Sequence, residues 1–474
     1  MTSTFFAFNV ARRGMSAHRT ALDVTAHNVA NASTAGYSRQ QAVFKTTAPF
    51  GVASANRLGS AGQIGTGVQI AEITRVRDSY LDYQLRPQLA KMGYWEERYD
   101  NLSLVETVML EPSDTSLSRV FDRFWSSWQE LSKNPTSGAV RASVVESSAT
   151  LAQSLNSVAV QLDTIESDIN AKVRIVVNDI NSLATQVAEL NKQIVTNRGA
   201  GLNPNDLMDK RDMLLDELST ITEFTPMYQP NGSIDISING RYLVQESRAT
   251  EITTKMDAGG KLVASWADGT ELQMKTGSLK GLYDVREYIS GEFYSKLNTM
   301  AVELMTAVNT LHGQGRPLED DPLNEGQNFF VLGNLANGDP AYTLRYIMVN
   351  PHIAENIGMI RAGEDGAGDG DGTNALGIAR LRSALSENLG DVSVESFYSG
   401  IISGLGVETQ QAERMAINQE ALATQILHRR EEVSGVSLDE EMANMLQFQH
   451  GFQAAARLLQ TVDEILVTLI NLGR

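Results

Sequence analysis

The chain has 474 residues, of which 57 are Asp or Glu and 39 are Lys or Arg, so its formal net charge at pH 7 is −18. It contains no cysteine, which excludes a disulfide framework, a thiolate metal site and a cysteine nucleophile. A chain this acidic lacks the positive charge that binding to phosphates requires, so we expect no nucleic-acid partner.

The charge is unevenly distributed along the chain. Residues 1–77 carry eight basic residues against Asp23 and Glu72, a net charge of +6, which leaves −24 on the remainder. An Arg- and Ser-rich start can indicate an organelle transit peptide, an alternative that the motifs below disfavour, and the apolar stretch of a secretory signal is missing. Because no run of 18 apolar residues occurs, we also expect no membrane insertion.

The first predicted element is a helix over about residues 3–31. Its large apolar residues recur every seven positions and form the predicted N-terminal seam: Phe8, Met15, Leu22 and Val29. A row of small residues runs beside them and would let another helix approach closely: Val10, Gly14, Ala17, Ala21 and Val24. Turn-forming residues 31–36 should end this helix, and extended segments are expected at 40–47 and 67–77.

The middle of the chain predicts a long helical rod. Apolar residues step by four and three from Leu151 to Ile194, with one stutter at 165–173 that relaxes the supercoil locally. Further helices are predicted at 78–110, 115–132, 206–222, 279–312 and 396–433.

Two β-rich insertions interrupt the helices. In the first, residues 225–276, Asn239-Gly240 predicts a hairpin turn, and Asp268-Gly269 is expected to join strands 262–266 and 271–274. In the second, residues 313–375, strands are expected at 329–332 and 342–349.

The chain ends in another predicted helix. Ser434-Gly435 breaks the preceding helix, and Ser437 with Glu440 predicts a capping box. An unbroken heptad stripe follows, the predicted C-terminal seam: Met445, Phe448, Phe452, Ala455, Leu459, Val462, Leu466 and Leu469. The net charge from residue 434 onward is −3, opposite to the N-terminal segment, so we expect the two terminal helices to pack together.

These elements predict a mainly α fold with β insertions (α+β). We expect a coiled-coil assembly domain from 1–70 and 434–474, and a helical rod domain from 71–224, 277–312 and 376–433. The insertions 225–276 and 313–375 should form small outer domains.

The sequence carries no recognisable catalytic motif, so we expect no enzyme and no cofactor. The six histidines never stand three or four residues apart, and no P-loop, dinucleotide fingerprint or nucleophile elbow occurs. The acidic loop 364–372 invites a test for Ca²⁺, but its register does not fit an EF-hand, and we expect a solvated loop.

Two terminal motifs carry a resemblance. The run Asn28-Val-Ala-Asn31-Ala-Ser-Thr34-Ala-Gly36-Tyr37-Ser38-Arg39-Gln40 resembles the N-terminal signature of bacterial flagellar rod, hook and hook-associated proteins. The run from Ser434 to Asn444, continuing to Glu464, is similar to the C-terminal signature of the hook-associated members. Asn328-Phe-Phe330 and the run 372–379 also match them, although Thr373 stands where Asn is frequent.

The resemblance implies a structural role at the junction of hook and filament. Its terminal helices would pair around an axial channel, self-associate in a ring or helix, and contact hook protein on one side and a second hook-associated protein on the other. Export would follow the flagellar type III route to the cell exterior, with an export chaperone on the C-terminal seam, from Phe448 to Leu466.

Three alternatives remain open from the residues. A hook or rod protein shares the N-terminal signature. A secreted cell-wall hydrolase would need a cleft carboxylate with a strongly raised pKa, for which no motif is present. A cytosolic coiled-coil scaffold explains the heptads but not the run 28–40.

Overall fold

The computed structural model describes residues 5–49, 64–109, 116–319, 324–333 and 339–472. Its first elements are helix α1 (Phe6–Ala30) and the antiparallel strands β1 (Gln40–Thr46) and β2 (Val68–Arg75). Four helices follow: α2 (Ser79–Met109), α3 (Leu117–Lys133), α4 (Gly138–Gly199) and α5 (Asn205–Ile221). These helices confirm the sequence prediction, except that α4 begins 13 residues before Leu151.

The early start of α4 has a physical cause that the heptad pattern does not show. Residues 138–150 contain no large apolar heptad, but Arg141 and Val144 are buried there. The Arg141 guanidinium donates to the carbonyl oxygens of Pro135 at 2.6 Å and Ile360 at 2.8 Å. A buried arginine satisfied by backbone carbonyls therefore replaces the missing apolar contacts.

The first insertion consists of two antiparallel sheets packed on the helices, one of four strands and one of two. Its strands are β3 (Thr225–Tyr228), β4 (Ile234–Ile238), β5 (Arg241–Gln245), β6 (Arg248–Ala249), β7 (Ile252–Met256) and β8 (Leu262–Trp266). Asn239 and Gly240 both have positive φ and join β4 to β5, which confirms the predicted hairpin. The expected strand 271–274 is reduced to a single bridge from Glu271 to Ser265, although the Asp268-Gly269 turn forms, with Gly269 at positive φ and the Trp266 amide donating to the Thr270 carbonyl at 2.8 Å.

The next helical stretch confirms the prediction over 279–312. It runs through α6 (Ser278–Glu287), one π-helical turn (Tyr288–Phe293) and α7 (Tyr294–Gln314).

The second insertion contains less strand than expected. Short strands form two pairs, β9 (Gly315–Arg316) with β12 (Gly363–Glu364), and β10 (Phe330–Leu332) with β11 (Ile347–Val349). The expected strand 342–349 is therefore only partly right, since Thr343–Tyr346 is the short helix α8 and Pro351–Glu355 is helix α9. Helix α10 (Thr373–Arg380) then leads to α11 (Val394–Ser434) and α12 (Leu438–Leu472), both as predicted.

One continuous apolar core joins the rod helices to both insertions. It extends from α2 and α3 along α4 to strands β4, β5 and β8 and to β10 and β11. Side chains of α4 also bind the first sheet directly, since Asn191 Nδ2 donates to the carbonyl oxygens of Ile234 at 2.8 Å and Glu246 at 2.7 Å. The sheets are thus fixed to the rod by packing and hydrogen bonds.

His312 lies in the aromatic part of this core and is fully buried. Its ring is 5.3 Å from that of Phe329 and 6.3 Å from that of Trp128. Its Nδ1 lies 2.9 Å from the Gln327 carbonyl oxygen, and its Nε2 accepts from the Arg361 amide at 3.0 Å. A neutral imidazole satisfies both bonds. Desolvation lowers the pKa of His312 to about 4.

We therefore expect His312 to make stability depend on pH. Between about pH 4 and 6.5 the His312 side chain is protonated in the unfolded chain and neutral in the folded chain. The free energy of unfolding therefore rises by ~3 kcal/mol as the pH increases over this range, and the rise is complete above pH 6.5. Denaturant unfolding followed by tryptophan fluorescence should show this slope, and His312→Gln should reduce it. The exposed His352→Gln is the control, and an unchanged slope in His312→Gln would contradict the assignment.

Candidate assembly site

The two ends of the chain meet in one small unit, which we call the terminal arm: α1, β1, β2 and α12. Helices α1 and α12 are antiparallel, since Gly14 faces Ala455, His18 faces Gly451 and Asn28 binds Glu441. A Cβ atom on Gly451 would lie 2.6 Å from the His18 ring, so glycine makes room for this ring against α12. Close helix packing thus rests on small residues.

The residues buried on α1 belong mostly to small or polar types. They are Ala11, Ala17, Ala21, Val24, Thr25 and Asn28. Three of them, Ala17, Ala21 and Val24, come from the small-residue row that the sequence placed beside the seam. Phe448 of α12, Ile70 and Ile73 of β2 and Ala42 of β1 complete a small apolar cluster with Ala21 and Val24.

The predicted N-terminal seam lies on another flank of α1. Phe8, Met15, Leu22 and Val29 are each only half-buried. With about 3.6 residues per turn, they occupy the side of α1 turned away from Ala17 and Val24, and so away from the hairpin β1–β2. The large heptad row therefore borders the contact between the helices and is not its centre.

The C-terminal seam is covered more evenly. Val462 is buried, and the other members with described side chains are half-buried: Met445, Phe448, Phe452, Ala455, Leu459 and Leu466. The side chain of Leu469 lies outside the described part of the chain. Other apolar side chains of α12 are at least half exposed: Leu438, Met442, Leu446, Ile465, Val467 and Ile470. We call the four half-buried seam residues of α1 and these exposed side chains of α12, which lie on more than one side of that helix, the open face of the arm.

Asn28 is the best-satisfied polar residue of the N-terminal signature and is buried. Its Oδ1 accepts from the Tyr37 hydroxyl at 2.7 Å and the Gln40 amide at 2.9 Å. Its Nδ2 donates to the Gln40 carbonyl at 2.8 Å and to Glu441 Oε2 at 2.9 Å. All four hydrogen bonds of one amide are made, so no other side chain of this size fits the position.

The turn after α1 is shaped by the next signature residues. Asn31 Nδ2 donates to the His27 carbonyl at 2.9 Å, and the Thr34 amide donates to the Asn31 carbonyl at 2.9 Å. Gly36 has a φ of +74°, a left-handed conformation that favours glycine. Tyr37 then packs edge-on against His27 at 5.5 Å, and burial raises its pKa.

Arg39 binds the start of α12. Its guanidinium reaches Glu440 Oε2 at 2.7 Å and Glu441 Oε1 at 3.0 Å. The Glu440 amide donates to the Ser437 hydroxyl at 3.4 Å, which is half of the predicted capping box, whereas the Glu440 carboxylate binds Arg39. Arg39 is thus where opposite charges of the two ends meet.

Ser38 and Gln40 instead bind α5, which sequence reasoning missed as part of the site. Asp209 accepts from the Ser38 amide at 2.9 Å and from its hydroxyl at 2.7 Å. Gln40 Nε2 donates to Asp206 at 2.7 Å, and Asn205 Nδ2 donates to Gln40 Oε1 at 3.1 Å. One signal in the sequence could have revealed this contact. Four aspartates lie on one face of the predicted helix, at positions 206, 209, 212 and 216.

A buried lattice of ion pairs extends from this contact. Arg75 of β2 binds Asp209 at 2.7 Å and Asp212 at 2.8 Å. Arg77 makes two bonds to Asp82 of α2, at 2.7 and 2.8 Å. The lattice continues through Arg86 and Arg430, which both bind Asp216.

The lattice shows which acidic residues the basic residues of 1–77 bind. Burial alone would raise the pKa of Asp212, but Arg77, Arg75 and Arg86 together lower it, so this carboxylate stays ionised. We expected the basic arm to face the acidic C-terminal helix. Among the ion pairs of the described residues, only those of Arg39 do so, whereas Arg75 and Arg77 face α5 and α2.

We next compare the described residues with what a metal site and a membrane-spanning helix require. In the acidic loop 364–372, Asp371 already accepts from the Glu364 amide at 2.7 Å and the Thr373 hydroxyl at 2.6 Å, and Asp369 lies 3.7 Å from Arg316. Within the described ranges, no group of three or more His, Asp or Glu side chains is arranged for a metal ion. Among the same residues, no helix combines the length and apolarity needed to cross a bilayer.

Known families match three parts of the chain. Residues 102–330 match the family described as flagellar hook-associated protein FlgK helical domain. Residues 8–37 match flagella basal body rod protein, and residues 429–472 match flagellar basal body rod FlgEFG protein C-terminal.

Relatives match over nearly the whole length. Flagellar hook-associated protein 1 of Bacillus subtilis is 35% identical over 99% of this chain and 99% of its own, and that of Escherichia coli is 27% identical over 98% and 99%. The structure of the flagellar hook junction protein FlgK from Burkholderia pseudomallei superposes with a TM-score of 0.65 at 15% identity. It covers 74% of this chain and 100% of that one, and at this identity the likeness shows the fold alone.

We expect Asn28→Asp to loosen the arm. The change puts an oxygen where Nδ2 donates to the Gln40 carbonyl and the Glu441 carboxylate, and leaving such buried groups unpaired costs at least ~2 kcal/mol. Amide hydrogen exchange of α1 and of the first turns of α12 should accelerate accordingly.

A matched pair of variants isolates the contact. Adding Glu441→Gln to Asn28→Asp supplies a new donor and should recover roughly 1 kcal/mol. Asn9→Asp makes the same change at an exposed position of α1 and should leave exchange unaltered. If the double variant exchanges as fast as Asn28→Asp alone, Asn28 and Glu441 are not coupled.

Proposed function

The chain belongs to the flagellar hook-associated protein 1 family, and from this premise we propose that it is a structural subunit that joins the hook to the filament of a bacterial flagellum. The open face of the arm carries the proposal. A second copy of the chain would bury this face, and each large apolar side chain so covered contributes roughly 1.5–3 kcal/mol.

The small size of the arm's own core supports assembly as its role. Its buried apolar cluster contains Ala21, Val24 and Ala42, which is little for a unit of two helices and a hairpin. Large exposed apolar surfaces mark interaction sites in soluble proteins. Neighbouring copies would therefore supply burial that the isolated arm lacks.

A hook or rod protein is the nearest alternative and is not favoured. The terminal matches to rod proteins are shared across these axial proteins, but the match over 102–330 and the full-length relatives are hook-associated. A hydrolase is not favoured either. Burial raises the pKa of Glu97, but this carboxylate binds Lys172 at 2.6 Å between packed helices and does not face a cleft.

We propose the following partners on the same premise. Hook protein would lie on one side of the junction and a second hook-associated protein on the other, outside the cell. An export chaperone would cover the C-terminal seam before assembly, because the exposed side chains of α12 invite aggregation in the unassembled chain.

A deletion strain should make hooks without filaments and lose flagellin to the medium, as seen by electron microscopy and by assay of the culture supernatant. The wild-type gene should restore filaments. Leu22→Asp should not, because it places a charge on the open face, at the border of the contact between α1 and α12.

Ser16→Asp introduces the same charge at an exposed position of the same helix and should restore filaments. Comparable amounts of both variants in the medium of a filament-free strain would show that export is intact. Filaments in the deletion strain would refute the junction role, and filaments with Leu22→Asp would refute the open face.

Removal of residues 440–474 should abolish capture of the full chain's export chaperone in a pull-down assay. Removal of residues 5–30 is the control and should leave capture intact. Capture that survives the loss of 440–474 would place the chaperone elsewhere.

A further inference from the structure

The terminal arm and the rod have separate apolar clusters. The cluster of the arm contains Ala21, Val24 and Ala42, whereas a cluster of the rod, between α2 and α11, contains Leu85, Leu89 and Ala423. Among the described elements, the helices and strands of the arm pack closely on one another and only sparsely on the rest of the chain. The boundary between them must therefore be held by something other than apolar packing.

Long polar side chains span this boundary. From the arm, Ser38 and Arg75 reach Asp209, and Arg75 also reaches Asp212. Arg77 follows the end of β2 and binds Asp82. The side chains of Arg75, Asp209 and Asp212 are each at least about 90% buried, so water screens these pairs weakly.

The backbone crosses the same boundary twice, at 76–78 and at 435–437. Arg39 ties the two crossings together, since its amide donates to the Ser434 carbonyl at 2.8 Å and its carbonyl accepts from the Val76 amide at 2.8 Å. The boundary is therefore crossed by two short backbone links and a set of directed ion pairs. Such an arrangement favours one angle between the arm and the rod. Opening such a joint would expose polar groups and no large apolar surface.

We infer that Asp209 and Asp212 are positioning residues that set the angle of the terminal arm on the rod. This inference deepens the proposed function, because the angle decides how the open face meets a neighbouring copy. The arm keeps its own fold when the joint is broken, and only its orientation is released.

Spin labels can test this on the free chain, which has no native cysteine to remove. One label pair, at Gln453→Cys and Thr185→Cys, reports the distance from arm to rod. A second pair, at Gln453→Cys and Ser16→Cys, reports the distance within the arm. In the otherwise wild-type chain, electron–electron double resonance should give one narrow distribution for each pair.

Asp212→Asn should at least double the width of the distribution from arm to rod and leave the distribution within the arm unchanged. Glu217→Gln removes the same charge from an exposed position of α5 and should change neither. Arg75→Ala, which breaks the joint from the side of the arm, is the second variant and should act like Asp212→Asn. Tryptophan fluorescence verifies that the rod stays folded in each.

Three results would overturn the inference. They are a distribution from arm to rod that is already broad without Asp212→Asn, one that stays narrow with Asp212→Asn and with Arg75→Ala, and equal broadening within the arm. The measurement needs no flagellum, so its failure would leave the junction role standing, and a failed deletion strain would leave the joint standing.

Discussion

The hydrogen bond from Asn28 to Glu441 closes the chain on itself across a separation of 413 residues. The terminal arm depends on this closure, because among the described elements α1 packs closely only on α12 and on the hairpin β1–β2. The closure is possible because Gly451 makes room for the ring of His18 and because one amide saturates four hydrogen bonds at the end of α1.

Apolar and ionic contacts divide the molecule into three zones. The rod and its two insertions share one continuous core, so they behave as a single packed body. The arm has a minor core and an open face. Between them lies a layer of Arg and Asp side chains from β2, α2, α5 and α11. Apolar side chains thus lie in the permanent core of the rod and on the open face, where a partner would cover them. Charged side chains lie at the boundary between arm and rod, where directed ion pairs fix the orientation.

The sequence predicted the helices well, because their heptad and capping signals are local. Ser437 and Glu440 marked the start of α12, and Asn239-Gly240 marked a hairpin. The predictions failed where a distant group decides the structure. Helix α4 begins early because Arg141 donates to carbonyl oxygens of residues more than 200 positions away.

The candidate site shows the same division. The signature residues were found from their pattern, but the role of each depends on partners that no local rule identifies. Asn28 needs Glu441, Ser38 needs Asp209, and the acidic row on α5 is an ordinary solvated helix face until Arg75 and Arg77 are placed beside it. The large heptad residues of α1 were expected at the contact between the helices, yet the small row fills it, because close approach favours small side chains over large ones.

The pairing of α1 with α12 also means that the arm can form only in a chain that has both terminal helices. The rod and both insertions lie between these helices in the chain, so they can fold before α12 is delivered, but the arm cannot. A chain interrupted between Ser434 and Glu441 would keep a well-packed body, because α11 would still pack on α2, and would present α1 without its partner. Such a fragment would have no assembled arm to offer a growing structure, and only molecules that carry both ends could be incorporated.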